Sequence, residues 1–279
     1  MTSQARALHR PAIQVRRLGL TLSAAVPKHF FAGDPFLSAF YAAMSTVFPE
    51  GERFFIDAVR HYQPQLDDPA LVAEVRRFIG QEAHHGKEHE AFNSWLEAQG
   101  YPVAPVLKRI TEGLSLARQH LSPRRQLAMT LALEHFTAIM AHQFLTDPTV
   151  SEQLHPEVRE LFRWHAMEET EHKAVAYDVY VASGGDYWTR ALTMLQVTLL
   201  FWIRILTITH GYLKSEGNGG LGRMLRGLRW LAISPGPLRK LAPQYLDYFR
   251  PGFHPWQHDN HALIAPLQAQ MADRVIHRD

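Results

Sequence analysis

The chain has 279 residues, 46% hydrophobic and 20% charged, the balance of a soluble globular protein with ample material for a large core. Its formal charge of +2, without any lysine- or arginine-rich run, argues against nucleic acid as a partner. Cysteine is absent, which excludes disulfides, thiol nucleophiles and iron–sulfur clusters, so any metal must sit on oxygen and imidazole. The lack of cysteine fits a cytoplasmic protein.

Residues 1–34 read as an extended lead-in. Arg16-Arg17 followed by LGLTLSAAV has the outline of a twin-arginine export signal. No small-residue cleavage site follows, however, and Pro27-Lys28-His29 leads straight on, so a lead-in is the preferred reading. Within it Ile13–Leu22 is the one stretch with strand character. Asp34-Pro35, an N-cap before a proline at the first helical position, opens a helix through Phe36–Tyr62, with a kink expected at Pro49. Asp68-Pro69 repeats the signal for a helix ending at Gly100, and a lesser helix covers Val103–His120. Ser122-Pro123 starts a fourth helix to about Leu145. His155-Pro156 starts a fifth, expected to run to Gly184, and a sixth begins near Asp186. The four long helices should pair antiparallel, giving an all-α fold, a four-helix bundle over residues 35–215. Residues 216–279 form a C-terminal helical extension and tail.

The chemistry lies in IGQEAHHGKEHEAFN and RWHAMEETEHKAVAYDVY. Glu82 and His85 are three apart on the second helix, and Glu169 and His172 repeat that spacing on the fifth, so each pair can converge on one ion. Glu52 and Glu134 each supply a carboxylate from the preceding helix. Glu52 to Glu82 spans 30 residues and Glu134 to Glu169 spans 35. This order is how a bundle builds a two-metal carboxylate site. One Glu-x-x-His is weak evidence, and Glu152–His155 is a decoy in a turn; two on long helices are specific. Glu134 lies in AMTLALEHFTAIM, where a lone carboxylate would be costly to ionise. Two divalent cations neutralise the four glutamates. His165, one turn before Glu169, is assigned as a further ligand. His89, four after His85, reads more readily as a hydrogen-bonded core histidine. Glu168, Glu171, His84 and Glu88 point off the ligand face, towards supporting or solvent-facing positions, and Asp178 is unassigned.

These motifs, with FPEGERFF and LALEHFTA, resemble the bacterial family of predicted metal-dependent hydrolases from about Val15 to Gly211. The resemblance implies a ferritin-like fold. The His165-x-x-x-Glu169-x-x-His172 spacing is similar to that of the di-iron arylamine N-oxygenases, an analogy of site only. Oxygen and nitrogen donors suit two iron ions, with manganese or zinc as alternatives. The first expectation is therefore oxidation of a small, apolar substrate by O2, with room left by Thr137, Ala138 and Ala141. The second is hydrolysis through a metal-activated bridging water, and the third iron handling.

Residues Ala191–Ile203 are nearly all apolar, but Arg190, Gln196 and Arg204 interrupt a membrane span. Packing against the bundle or in a homodimer is preferred. Beyond it, Arg223, Arg226 and Arg229 alternate with Leu225, Leu228 and Leu231; covering the bundle is preferred to peripheral membrane contact. HPWQHDNHA reads as a flexible tail.

Overall fold

The computed structural model describes residues 10–276. Among them there is no β-strand, and the fold is all-α. The stretch 13–22 forms only an isolated antiparallel bridge, Arg16 with Val275. A strand needs a ladder of partners, and this segment is instead tied down by its side chains.

The start signals act as their chemistry dictates. Asp34 accepts a hydrogen bond from the Leu37 N–H at the head of α1 (Pro35–Tyr62), and Asp68 caps α2 (Pro69–Ala98) through the Ala70 N–H. After α3 (Val103–His120), Ser122 caps α4 (Pro123–Thr146). A short α5 (Pro148–Ser151) leads to α6 (Pro156–His172), α7 (Val175–Ala182) and α8 (Tyr187–Ser215), the last capped by Asp186. Four smaller helices follow: α9 (Leu221–Ala232), α10 (Pro237–Lys240), α11 (Ala242–Asp247) and α12 (His261–Gln270).

α1 runs through Pro49 without a break. The expected fifth helix does not continue to Gly184; it divides into α6 and α7 directly after His172. No proline or glycine marks the division. It coincides with Lys173, whose buried ammonium bonds the His258 carbonyl and Asn260 Oδ1 and sits over the Trp256 ring. For the same reason HPWQHDNHA is not a flexible tail: His254, Trp256 and Asn260 are buried against the bundle.

α1 packs along α2 and α4 along α6, while contacts of α1 with α4 and of α2 with α6 close the four-helix ring. α8 lies across α1 and α4, with Trp202 stacked on Phe40 and edge-on to Phe136. α9 presses onto α1 at Gly227, where an added Cβ would fall 2.1 Å from the Phe36 ring. The ring interior thus has one open question, which is what sits at its polar centre.

Candidate metal centre

Each ring helix contributes to one buried cluster: Glu52 from α1, Glu82 and His85 from α2, Glu134 from α4, and His165, Glu169 and His172 from α6. None is more than 5% exposed. Donor atoms of Glu52, Glu82 and His85 lie within 4.8 Å of one another, as do those of Glu82, Glu169 and His172, and those of His85, His165 and Glu169. Glu82 belongs to two of these groups. His172 Nε2 stands 3.1 Å from Glu82, 3.4 Å from Glu134 and 3.4 Å from Glu169. Close approach of α2 to α1 depends on Gly86, since a Cβ there would come 3.1 Å from Glu52 Oε2.

Both carboxylate oxygens of Glu52, Glu82 and Glu134, together with Glu169 Oε2 and His172 Nε2, are buried without a hydrogen-bond partner. So many orphaned acceptors in one place are unfavourable unless a cation joins them. Burial first, and then the neighbouring carboxylates, push the Glu52 and Glu134 carboxyls well above their ordinary range. Burial would also raise Glu169; only a proton on His165 or His172 beside it, or a cation in its place, would hold it well below the usual value. Burial alone would depress His85; Glu168 and Glu82 outweigh it and raise the imidazole. The donor set is all carboxylate and imidazole, as hard divalent metals and iron require.

A hydrogen-bonded layer aims the histidines. The guanidinium of Arg16, itself fully buried, bonds Glu171 at 2.8 and 3.0 Å and Glu168 at 3.3 Å. Glu171 accepts from the Gln81 amide at 2.7 Å, which leaves Gln81 Oε1 to accept from His172 Nδ1 at 2.9 Å. The unprotonated Nε2 of His172 therefore faces the carboxylates. Glu168 lies 3.2 Å from His85 Nε2, turning the other ring nitrogen towards Glu82.

A second relay begins at Asn93, whose amide donates to the Ser45 carbonyl, so its Oδ1 accepts from the Ser45 hydroxyl at 3.0 Å. Ser45 Oγ must then accept from His89 Nδ1, and His89 Nε2 from His165 Nδ1 at 2.7 Å. Burial, with the nearby His85, lowers His165 to about 4, so its ring is neutral and Nε2 carries a lone pair. That lone pair faces Glu169 Oε1 at 2.8 Å. Two acceptors in contact are tolerable with a shared cation between them.

The seven residues expected as ligands are thus brought together. His89 shares a further donor group with Glu52 and His165, and both its ring nitrogens are engaged, by Ser45 and His165. Glu168 and Glu171 are buried beneath the histidines, and Glu88 accepts from the Gly19 and Leu20 N–H groups. Sequence reasoning missed Arg16, Gln81, Ser45 and Asn93. Asn93 was within reach, because it lies one turn beyond His89 on the same helical face. Nothing local marked Arg16 for this role, since the two glutamates it bonds are more than 150 residues away.

The opposite wall of the cluster is apolar. A cavity of about 90 Å³ reaches His165 and Glu169. Its sides include Phe40, Met44 and Phe48 of α1, Phe144 of α4 and Phe162 of α6, and its outer wall is Trp230, Leu231 and Leu238. Thr137 and Ala141 line it as expected; Ala138 faces a separate small cleft near Lys173. Of the polar groups on its walls, Gln143 is engaged by the Pro237 carbonyl and Thr137 by the Glu134 carbonyl, and Tyr41 adds a phenol.

No curated protein and no solved structure matches the chain. The model of one family does match, over residues 14–259, a span that holds every ligand candidate and both supporting relays. The chain belongs to the family of predicted metal-dependent hydrolases.

Proposed function

We propose that Glu52, Glu82, His85, Glu134, His165, Glu169 and His172 hold two metal ions, of which iron suits the donors best, and that the protein oxidises an apolar organic substrate with O2. Glu52, Glu82, His85, His165 and Glu169 each belong to two of the donor groups, so two neighbouring ions would be held by overlapping sets of residues. The order of glutamates and Glu-x-x-His pairs along four ring helices, the arrangement of ferritin-like di-metal proteins, supports this reading. When bound, a di-iron pair supplies electrons to O2. In the overall reaction one oxygen atom enters a substrate C–H bond. The other leaves as water, with two electrons and two protons from an external donor of the reduced flavin or iron–sulfur class.

The observation that carries the oxidative reading is the cavity. Aromatic and aliphatic walls end on His165 and Glu169, and the polar groups of the lining beyond them are few: Thr137 and Gln143, both hydrogen-bonded to carbonyls, and the Tyr41 phenol. Phe48 packs against the His165 ring at 4.8 Å and helps keep water from the ligands. The residues of the chain bind by shape and hydrophobic contact, and the His89–Ser45–Asn93 relay holds the His165 proton at Nδ1.

Hydrolysis is the second reading, favoured by the family's description. There the metals act by acidifying water, a role that zinc can fill. Untagged protein should carry two metal ions per chain by elemental analysis. Ferrous protein should then consume O2 faster when an apolar probe such as an alkylbenzene is added. An enzyme that cleaves ester probes without air when zinc-loaded, and takes up no O2 when ferrous, would overturn the oxidative reading. Metal content of zero after supplementation would overturn both.

A further inference from the structure

The outer surface of the α8–α9 region has no role in holding the cluster, and its composition is lopsided. Along α8, Trp188, Leu192, Leu195, Leu199 and Ile203 recur at helical spacing on one face, and each is more than half exposed. The opposite face, including Met194, Val197 and Ile205, is buried on α1 and α4. α8 is long and apolar enough to cross a membrane, but a helix packed lengthwise on a bundle presents its outer face instead. α9 adds Leu221 and Leu225, and Ile233 follows it, all again more than half exposed beside exposed Arg226 and Arg229.

The charge on this region has a single sign. Residues 187–246 contain eight lysines and arginines and one acidic residue, Glu216; Arg190 is buried on backbone carbonyls and Lys240 pairs with Asp147, which leaves six basic residues for the surface. Glu216 is taken up by Lys28 and His29. The bordering carboxylates are also engaged: Asp186 caps α8, and Asp247 pairs with His258 and Arg250. Exposed apolar side chains interleaved with unneutralised cations match the boundary of an anionic bilayer, where leucine and tryptophan enter the acyl region and arginine meets phosphate. A second copy of the chain fits less well. A two-fold pairing through this face would set cations against cations with no carboxylate between them.

We propose that the outer face of α8 and α9 docks on an anionic lipid surface. The inner side of the same segment, through Trp230, Leu231 and Leu238, walls the apolar cavity, so docking would place the cavity beside the bilayer. The proposal concerns binding alone and does not depend on which reaction the metals perform.

The test is co-flotation of the full chain with vesicles of phosphatidylcholine, with and without about one-third phosphatidylglycerol. Binding is expected to the anionic vesicles only, and to weaken at high salt. The double variant R226E/R229E should weaken it about tenfold or more, since each basic residue adds separately to attraction by anionic lipid. L195E/L199E should abolish it, and because both leucines are exposed the helical circular dichroism should be unchanged. Light scattering after gel filtration provides the second measurement. Three results would overturn the proposal: no binding to anionic vesicles, binding that survives both variants, or a dimer in solution that L195E/L199E dissociates.

Discussion

The two walls of the carboxylate cluster are built on opposite principles. On the Arg16 side most of the polar atoms behind the histidines have partners, and these come from remote parts of the chain: Gln14 and Arg16 from the lead-in, Gln81 from α2, Glu168 and Glu171 from α6, and Gln268 from α12. On the cavity side the lining is aromatic and aliphatic, with space left unfilled. A wall of hydrogen bonds can hold ligands in one geometry, because moving a bonded member leaves a buried group unpaired. A wall of hydrocarbon can admit an apolar guest, because nothing polar is disturbed. The contrast teaches that positioning and access are separated across one site about a helix diameter wide.

The contrast breaks most severely at Arg16. Arg16→Ala leaves Glu168 and Glu171 buried and uncompensated, and should cost about 3–5 kcal/mol of stability by denaturant titration. Arg16→Lys should recover only part, since an ammonium cannot reproduce the paired contacts of the guanidinium. A loss within about 0.5 kcal/mol for Arg16→Ala would mean that the polar wall holds nothing.

Next in size is the relay behind His165. His89→Phe keeps the ring volume but removes both hydrogen bonds, and should weaken metal binding about 10- to 100-fold in competition with a chelator. Unchanged affinity would show that His165 needs no aiming.

Protonation sharpens the same comparison. In the metal-free protein Glu52 and Glu134 are raised above the ordinary 4.5, and His85 above 6.5, so the folded state holds extra protons that metal must displace. The loaded protein binds fewer protons than the metal-free one. The gain in thermal stability on loading should therefore grow as pH rises from about 4.5 upward, by up to about 1.4 kcal/mol per pH unit for each proton displaced. Comparing loaded with metal-free protein at each pH cancels the depressed His135 and Lys173, which lie on the far side of the bundle wall. A gain that is flat with pH would rule out protonated ligands in the metal-free state.

The smallest effect on stability belongs to the apolar wall. Ala141→Leu fills the cavity and should change stability by under about 1.5 kcal/mol while leaving metal content at the wild-type level. Turnover of an apolar substrate should nevertheless fall, and undiminished turnover would show that substrate enters elsewhere.

Much of the fold was legible because its punctuation is local. Asp34-Pro35, Asp68-Pro69, Ser122-Pro123 and Asp186 cap helices by bonds within three residues, so the signal and its effect share one stretch of chain. The division of the expected fifth helix after His172 was decided by what that segment packs against, which no local rule sees. The flexible reading of HPWQHDNHA failed in the same way, because Lys173 and Asn260 find each other across 87 residues.

By itself the sequence determined that the protein is helical, that glutamates and histidines recur at a spacing that turns them to one face, and that sulfur plays no part. Helical periodicity is a property of neighbours three and four residues apart, so it is written wherever those neighbours are. Only the tertiary structure decided that four faces meet, that Arg16 lies beneath two of the histidines, and that hydrocarbon rather than polar groups closes the other side. Those are contacts between segments far apart along the chain, and their free energy exists only once the whole core has been assembled around them.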